Sequence, residues 1–187
     1  MTKEQTLRGL LRLSTVPRWC VIPTLNKQSV AEHTFNTLAI FDYLWHEFDL
    51  VFISDFEYGD VAYHLLHHDE DEAVSGDIPS NHKHKLSIVD EKHLSTKVLT
   101  VAKFCDLLEM VIFIETEKSM GNTLVANVGF ELMYKLRNFV ARANNKWGQE
   151  FEKVLDNTVK AVNPKLHPSM EDVLDELGNF TKPKLQS

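Results

Sequence analysis

The sequence predicts an all-α fold, a single bundle of about six or seven helices, and three observations carry that prediction. Glycine and proline are scarce, 7 and 6 in 187 residues, so few positions force a break. Apolar residues recur at steps of three and four, the spacing of one helix face. Period-two alternation, which marks a half-buried strand, is weak along the whole chain. At roughly 100–200 residues per domain, residues 1–187 make one domain.

The elements follow in order. Leu7, Leu10 and Leu11 give a first amphipathic helix that Pro17 must end. Residues 17–28, with Arg18, Trp19 and Pro23, read as an ordered loop. Ser29 then caps a helix, Glu32 completes the capping box, and His33, Leu38, Phe41 and Leu44 carry the helix to about residue 48. A further helix is expected over 59–74, stopped by Ser75-Gly76 with Pro79 beyond. Residues 80–92 are polar and rich in His and Lys, a loop or ragged helix. Leu94, Val98, Val101, Ala102, Cys105, Leu108 and Ile112 mark a long helix that Gly121-Asn122 breaks. Helices over 123–144, 147–162 and 170–177 are expected after it, and no internal repeat, Rossmann or P-loop glycine pattern is present.

Composition narrows the function. Apolar residues make up 43% and charged residues 25%, ordinary for a globular protein. Acidic residues (27) outnumber basic ones (20) for a formal charge of −7, which disfavours a broad surface for polymeric nucleic acid or an acidic membrane. Cys20 and Cys105 form no motif and suit a reducing compartment. The first residues show no apolar signal region, and the best apolar run, 111–114, is far too short to span a bilayer. A cytoplasmic location is therefore expected.

The densest chemistry is His67-His68-Asp69-Glu70-Asp71-Glu72. Four acids in a row ordinarily form a solvated helix face. This run, however, sits among Val61, Ala62, Leu65, Leu66, Ala73 and Val74, and helical spacing puts His68, Asp69 and Glu72 at neighbouring positions. A metal needs further ligands from other helices. His33 lies one turn inside its helix, where a lone His is usually a surface or core residue. Asp106 lies on an apolar stripe with Ala102, Met110, Leu99 and Phe113, so its carboxylate must be paired or coordinated. Lys103 or Arg18 would serve as an ordinary partner. Two imidazoles and two carboxylates together suit one divalent transition ion better than calcium or a thiolate-selected metal.

These residues carry a resemblance. Arg18-Trp19, Glu32-His33, His68-Asp69 with Glu72, Gly76-Asp77-Ile78-Pro79 and Cys105-Asp106-Leu107-Leu108 stand in an order that resembles the HD-domain phosphohydrolases. More narrowly, the series is similar to bacterial YfbR-type 5′-deoxynucleotidases and to phage HD-domain enzymes that hydrolyse dATP. It covers about residues 5–120, with the later helices completing the bundle. The resemblance implies one divalent ion (Co, Mn, Zn, Fe or Mg) held by His33, His68, Asp69 and Asp106. It implies Glu72 and Asp77 as catalytic carboxyls, and Arg18, Trp19, Asp77, Pro79 and Lys83 as substrate contacts. Each has a plainer reading: an ion pair for Arg18, a loop anchor for Trp19, a turn cap for Asp77, and a solvated loop for Lys83 and Lys85 with His82 and His84. His64 is placed behind His68, His67 at the periphery, and a second ion using His82, His84 or His93 is disfavoured.

The implied reaction is hydrolysis of a 2′-deoxynucleoside 5′-monophosphate to deoxynucleoside and phosphate. The alternative is a dNTP triphosphohydrolase releasing triphosphate, suggested by Lys83 and Lys85; a second is an inactive nucleotide-binding module. The implied partners are a small deoxynucleotide and further copies of the same chain, with no polymeric nucleic acid and no membrane. Trp19 with Val21 or Ile22 would give an apolar slot for a base.

Overall fold

The computed structural model describes residues 3–47, 53–77, 94–147 and 152–153, and those residues are mostly helical with no strand. Helix α1 spans Lys3–Arg12 and passes into a 3-10 turn, Leu13–Thr15. Helix α2 is Val30–Glu47, α3 Asp55–His67, α4 Glu72–Ser75, α5 Thr96–Ser119 and α6 Ala126–Trp147, the last entered through a 3-10 turn at Thr123–Val125. Among the described residues no helix is long and apolar enough to cross a membrane.

Helix α5 is the axis of the bundle. It packs against α2, α3 and α6, and its buried side chains fall on more than one face: Val98, Val101, Phe104, Cys105, Leu108, Val111 and Ile114. A helix surrounded in this way must be apolar most of the way round. Phe41 and Leu44 of α2, Val61 and Leu65 of α3, and Leu132, Leu136 and Val140 of α6 close the core around it. Gly129 lets α6 approach closely, because a Cβ there would stand 3.0 Å from the Ile114 side chain. A smaller cluster of Leu13, Val30 and Ala73 ties the N-terminal turn to α2 and α4.

The capping chemistry is local and explicit. Ser29 and Glu32 form the expected box: the Ser29 backbone N–H donates to Glu32 Oε2 at 2.6 Å and the Glu32 N–H to Ser29 Oγ at 3.2 Å. The loop before it is ordered, joined by a bridge between Pro17 and Ser29.

Two boundaries differ from expectation. The helix expected over 59–74 begins at Asp55, because Ser54 and Glu57 make a second capping box. It also stops at His67 and resumes at Glu72, since residues 68–71 form turns closed by Glu70 N–H to His67 O and Glu72 N–H to Asp69 O. The helix expected to end at 144 runs to Trp147. The expected loop over 80–92 and the helix over 170–177 lie outside the described residues, as does the helix over 147–162 apart from residues 147 and 152–153.

Candidate metal centre

The break after α3 makes the site. His68 leaves the end of the helix and donates its ring Nδ1–H to Leu65 O at 2.7 Å, which leaves the Nε2 lone pair facing inward. His33 enters from the first turn of α2, fully buried at 0% exposure, with its ring 5.5 Å from that of His68. Asp106 arrives from the middle of α5. One ligand atom each from His33, His68 and Asp106 lies within 4.8 Å of the others, a spacing that donors each roughly 2.0–2.2 Å from one ion can match.

The individual distances describe a focus of charge. His33 Nε2 is 3.3 Å from Asp106 Oδ1 and 3.8 Å from Asp69 Oδ2, and His68 Nε2 is 3.3 Å from that same Asp69 oxygen. Both Nε2 atoms are buried and make no hydrogen bond among the described residues. Buried imidazole nitrogens rarely stay unpartnered, so the donor set fits a divalent cation. Arg18 Nη1, 3.9 Å from Asp69 Oδ2, is likewise buried and without a hydrogen bond.

The electrostatics follow. Burial disfavours a charged His33, but Asp106 and Glu109 on its two nitrogens outweigh it and raise its pKa. Burial would likewise raise Asp106, yet His33 and Lys103 beside it hold its carboxyl well below the usual range. Lys103 Nζ reaches Asp106 Oδ2 at 2.5 Å. The sequence left Asp106 a choice between an ordinary lysine partner and the metal centre; it divides its two oxygens between them.

A cavity of about 540 Å³ opens above this focus, a size usual for small-molecule sites. His68, Asp69 and Asp106 line it beside Arg18, Trp19, Asp77, Lys103 and Lys135. Val21, Ile22, Leu107, Met110 and Leu132 supply apolar walls. Trp19 is stacked on Phe113, ring centroids 5.3 Å apart and planes 5° from parallel, with the Arg18 guanidinium 5.7 Å from its ring centre.

Glu72 is buried at the start of α4 and is not among the lining residues. His67 pairs with Glu70 at 2.9 Å, and His64 is buried with its ring 6.3 Å from that of His68. Pro79, Lys83, Lys85, His82, His84 and His93 lie outside the described residues.

Three residues near the site went unnoticed in the sequence. Glu109, 2% exposed, has Oε2 2.6 Å from His33 Nδ1, and Gln28 Nε2 donates to its other oxygen at 2.6 Å. The signal for Glu109 was its place one turn after Asp106 on an apolar helix; Gln28 offered none beyond preceding the Ser29 cap. Lys135 comes from α6, where no motif pointed to it.

The helical bundle around this cavity has the fold of the HD-domain phosphohydrolases. The cyanophage S-2L HD phosphohydrolase DatZ, solved with dA and one catalytic Zn²⁺, is similar at 18% identity and a TM-score of 0.69, over 87% of this chain and 98% of that one. An HD-domain phosphohydrolase from Listeria innocua is similar at 16% and 0.63, over 97% of each chain. The PH0347 protein of Pyrococcus horikoshii OT3 is similar at 16% and 0.61, over 88% of this chain and 99% of its own. The model of the YfbR-like 5′-deoxynucleotidase family matches residues 6–93, the stretch that holds Arg18, Trp19, His33, His68, Asp69 and Asp77. No curated protein matches the sequence.

Proposed function

We propose that the protein is a metal-dependent phosphohydrolase that converts 2′-deoxynucleoside 5′-monophosphates to deoxynucleoside and phosphate. The observation that carries this reading is the convergence of His33, His68 and Asp106 on one point beneath a cavity edged by Arg18, Lys103 and Lys135. His33, His68, Asp69 and Asp106 would hold the ion. Bound there, a divalent cation neutralises phosphoryl oxygens and makes water a nucleophile near neutral pH.

The chain's own residues do the rest. Arg18, whose Nη1 is buried and makes no hydrogen bond among the described residues, forks onto phosphate oxygens. Trp19 sets the wall against the sugar, and Asp77 beside it meets a sugar hydroxyl or protonates the departing 5′-oxygen. Glu72, on the chain that leads from His68 and Asp69, would serve as the general acid–base carboxyl that the resemblance implies. The match of residues 6–93 to the YfbR-like family and the deoxynucleoside in the DatZ structure support this substrate class. A cytoplasmic location and an assembly of identical chains belong to the same reading, the second tested by light scattering.

A second reading is attack at the α-phosphorus of a deoxynucleoside triphosphate with release of triphosphate. Lys103 and Lys135 at the cavity favour it, because two cations beyond Arg18 suit a longer anionic tail. Lys83 and Pro79 would add to it and to the base wall. Incubation with Mn²⁺ or Co²⁺ and a panel of dNMPs and dNTPs decides: orthophosphate from dNMPs supports the first reading, tripolyphosphate the second. No turnover of any deoxynucleotide refutes both and leaves a nucleotide-binding module.

A further inference from the structure

Behind the metal centre four side chains form one hydrogen-bonded line through the protein. The Trp19 indole N–H donates to Gln28 Oε1 at 2.9 Å, Gln28 Nε2 donates to Glu109 Oε1 at 2.6 Å, and Glu109 Oε2 stands 2.6 Å from His33 Nδ1. Asn36 Nδ2 donates to Glu109 Oε1 at 3.3 Å.

The chemistry of each group fixes the direction of the line. An indole nitrogen only donates, so Gln28 must turn its oxygen to Trp19 and its amino group to Glu109. An ionised carboxylate only accepts, so His33 Nδ1 must carry the proton. In the neutral ring, the form that can ligate a metal, the remaining lone pair of His33 is then on Nε2, the atom that faces Asp106 and Asp69. His68 reaches the same tautomer by a different route, through the Leu65 carbonyl.

We infer that Glu109 is a positioning residue, which holds His33 as the Nδ1–H tautomer with Nε2 turned into the metal centre and is itself oriented by Gln28. The inference rests on the metal centre proposed above and adds to it a part that touches neither ion nor substrate. Carboxylate partners of metal-ligating histidines typically contribute 10–100-fold in metal affinity.

The test uses Glu109→Leu, which keeps the volume and removes the acceptor, and Glu109→Asp, which keeps the carboxylate on a shorter arm. Long-range ¹H–¹⁵N NMR of the metal-free protein, at a pH where the His33 ring is neutral, reads the tautomer: Nδ1–H for His33 in the wild type, a mixture in Glu109→Leu. Competition titration with Zn²⁺ reads affinity: a 10–100-fold loss in folded Glu109→Leu, partly restored in Glu109→Asp. A neutral wild-type His33 that carries its proton on Nε2 instead of Nδ1 overturns the inference, as does a folded Glu109→Leu that binds Zn²⁺ within about twofold of wild type. Both readouts stand apart from turnover: if Glu109→Leu loses Zn²⁺ affinity while the metal-loaded wild type hydrolyses no deoxynucleotide, the positioning role of Glu109 stands and the substrate assignment falls.

Discussion

The carboxylate of Asp77 accepts the backbone N–H of Trp19 at 2.9 Å, across 58 residues of chain. Trp19 is the one non-glycine residue with positive φ among those described, at 60°. A bulky side chain in that region costs of order 1–3 kcal/mol and persists only where surroundings over-determine it. Here Asp77 holds the backbone, Gln28 the indole N–H and Phe113 the ring face, so the strained residue is fixed on three sides at the cavity mouth.

Replacing Asp77 by Ala therefore releases Trp19. Steady-state kinetics should show kcat/KM for a deoxynucleotide falling about 10–100-fold, the loss of a charge-assisted hydrogen bond, with much of it in KM. Discrimination against the matching ribonucleotide should fall as well. Asp77→Asn keeps an acceptor and should recover part of both. Unchanged discrimination in Asp77→Ala would remove Trp19 from sugar selection.

Metal binding should be visible without any substrate. A ligand at about 100 times its Kd stabilises the folded state by about 2.7 kcal/mol, roughly 5–10 °C in Tm for a domain of this size. Chelated wild-type protein should show that rise on adding Zn²⁺, Mn²⁺ or Co²⁺ in differential scanning fluorimetry. His68→Ala and Asp106→Ala should not, while their circular dichroism stays helical.

The bundle was legible because its signals are local. The Ser29–Glu32 box, the long apolar run of α5 and the Gly121 stop each follow from a few adjacent residues. Asp106 stood out because a carboxylate on an apolar stripe needs a partner, and His68 because its acidic run sits among apolar residues; His33 was singled out by the resemblance, and the structure brings the three together. The break at residues 68–71 was not legible: the helical period runs on through Glu70 and Asp71, whereas the chain closes turns there through Glu70 N–H to His67 O and Glu72 N–H to Asp69 O. Glu109 was masked by its own helix, where it reads as one more surface acid until Gln28 and His33 are placed beside it. Lys135 reaches the cavity only through the crossing of α6, which no spacing in the sequence encodes.

Acid stability should carry the mark of Glu57. Its pKa falls from 4.5 to about 2, chiefly through the Ser54 backbone N–H and then Lys97, whose Nζ lies 3.0 Å away. A depressed folded pKa means the stabilisation is present above 4.5 and is lost as pH falls toward 2. Urea unfolding followed across that window should show a shallower acid limb in Glu57→Gln than in wild type. Added salt should narrow the difference, since the Lys97 share is screened. Parallel limbs at low salt would show that the capping box does not govern acid unfolding.

Glu117 offers the sharpest link between stability and function. Fully buried on α5, it accepts the backbone N–H groups of Leu25 and Asn26 at 2.6 and 2.7 Å and the Asn122 amide at 2.8 Å. Burial alone would raise its pKa; these three donors lower it, and they pin the far end of the loop that carries Arg18 and Trp19. Glu117→Ala strips the acceptor from all three donors, a cost of about 2–4 kcal/mol. Calorimetry should record that loss, and KM should rise more than kcat falls if, as proposed, the loop seats substrate and the metal ligands sit on other elements. Glu117→Gln, still an acceptor for one or two of the donors, should lie between. If Glu117→Ala lowers Tm as stated but leaves KM unchanged, the loop holds its shape through Asp77 and Gln28 alone, and Glu117 serves only the core.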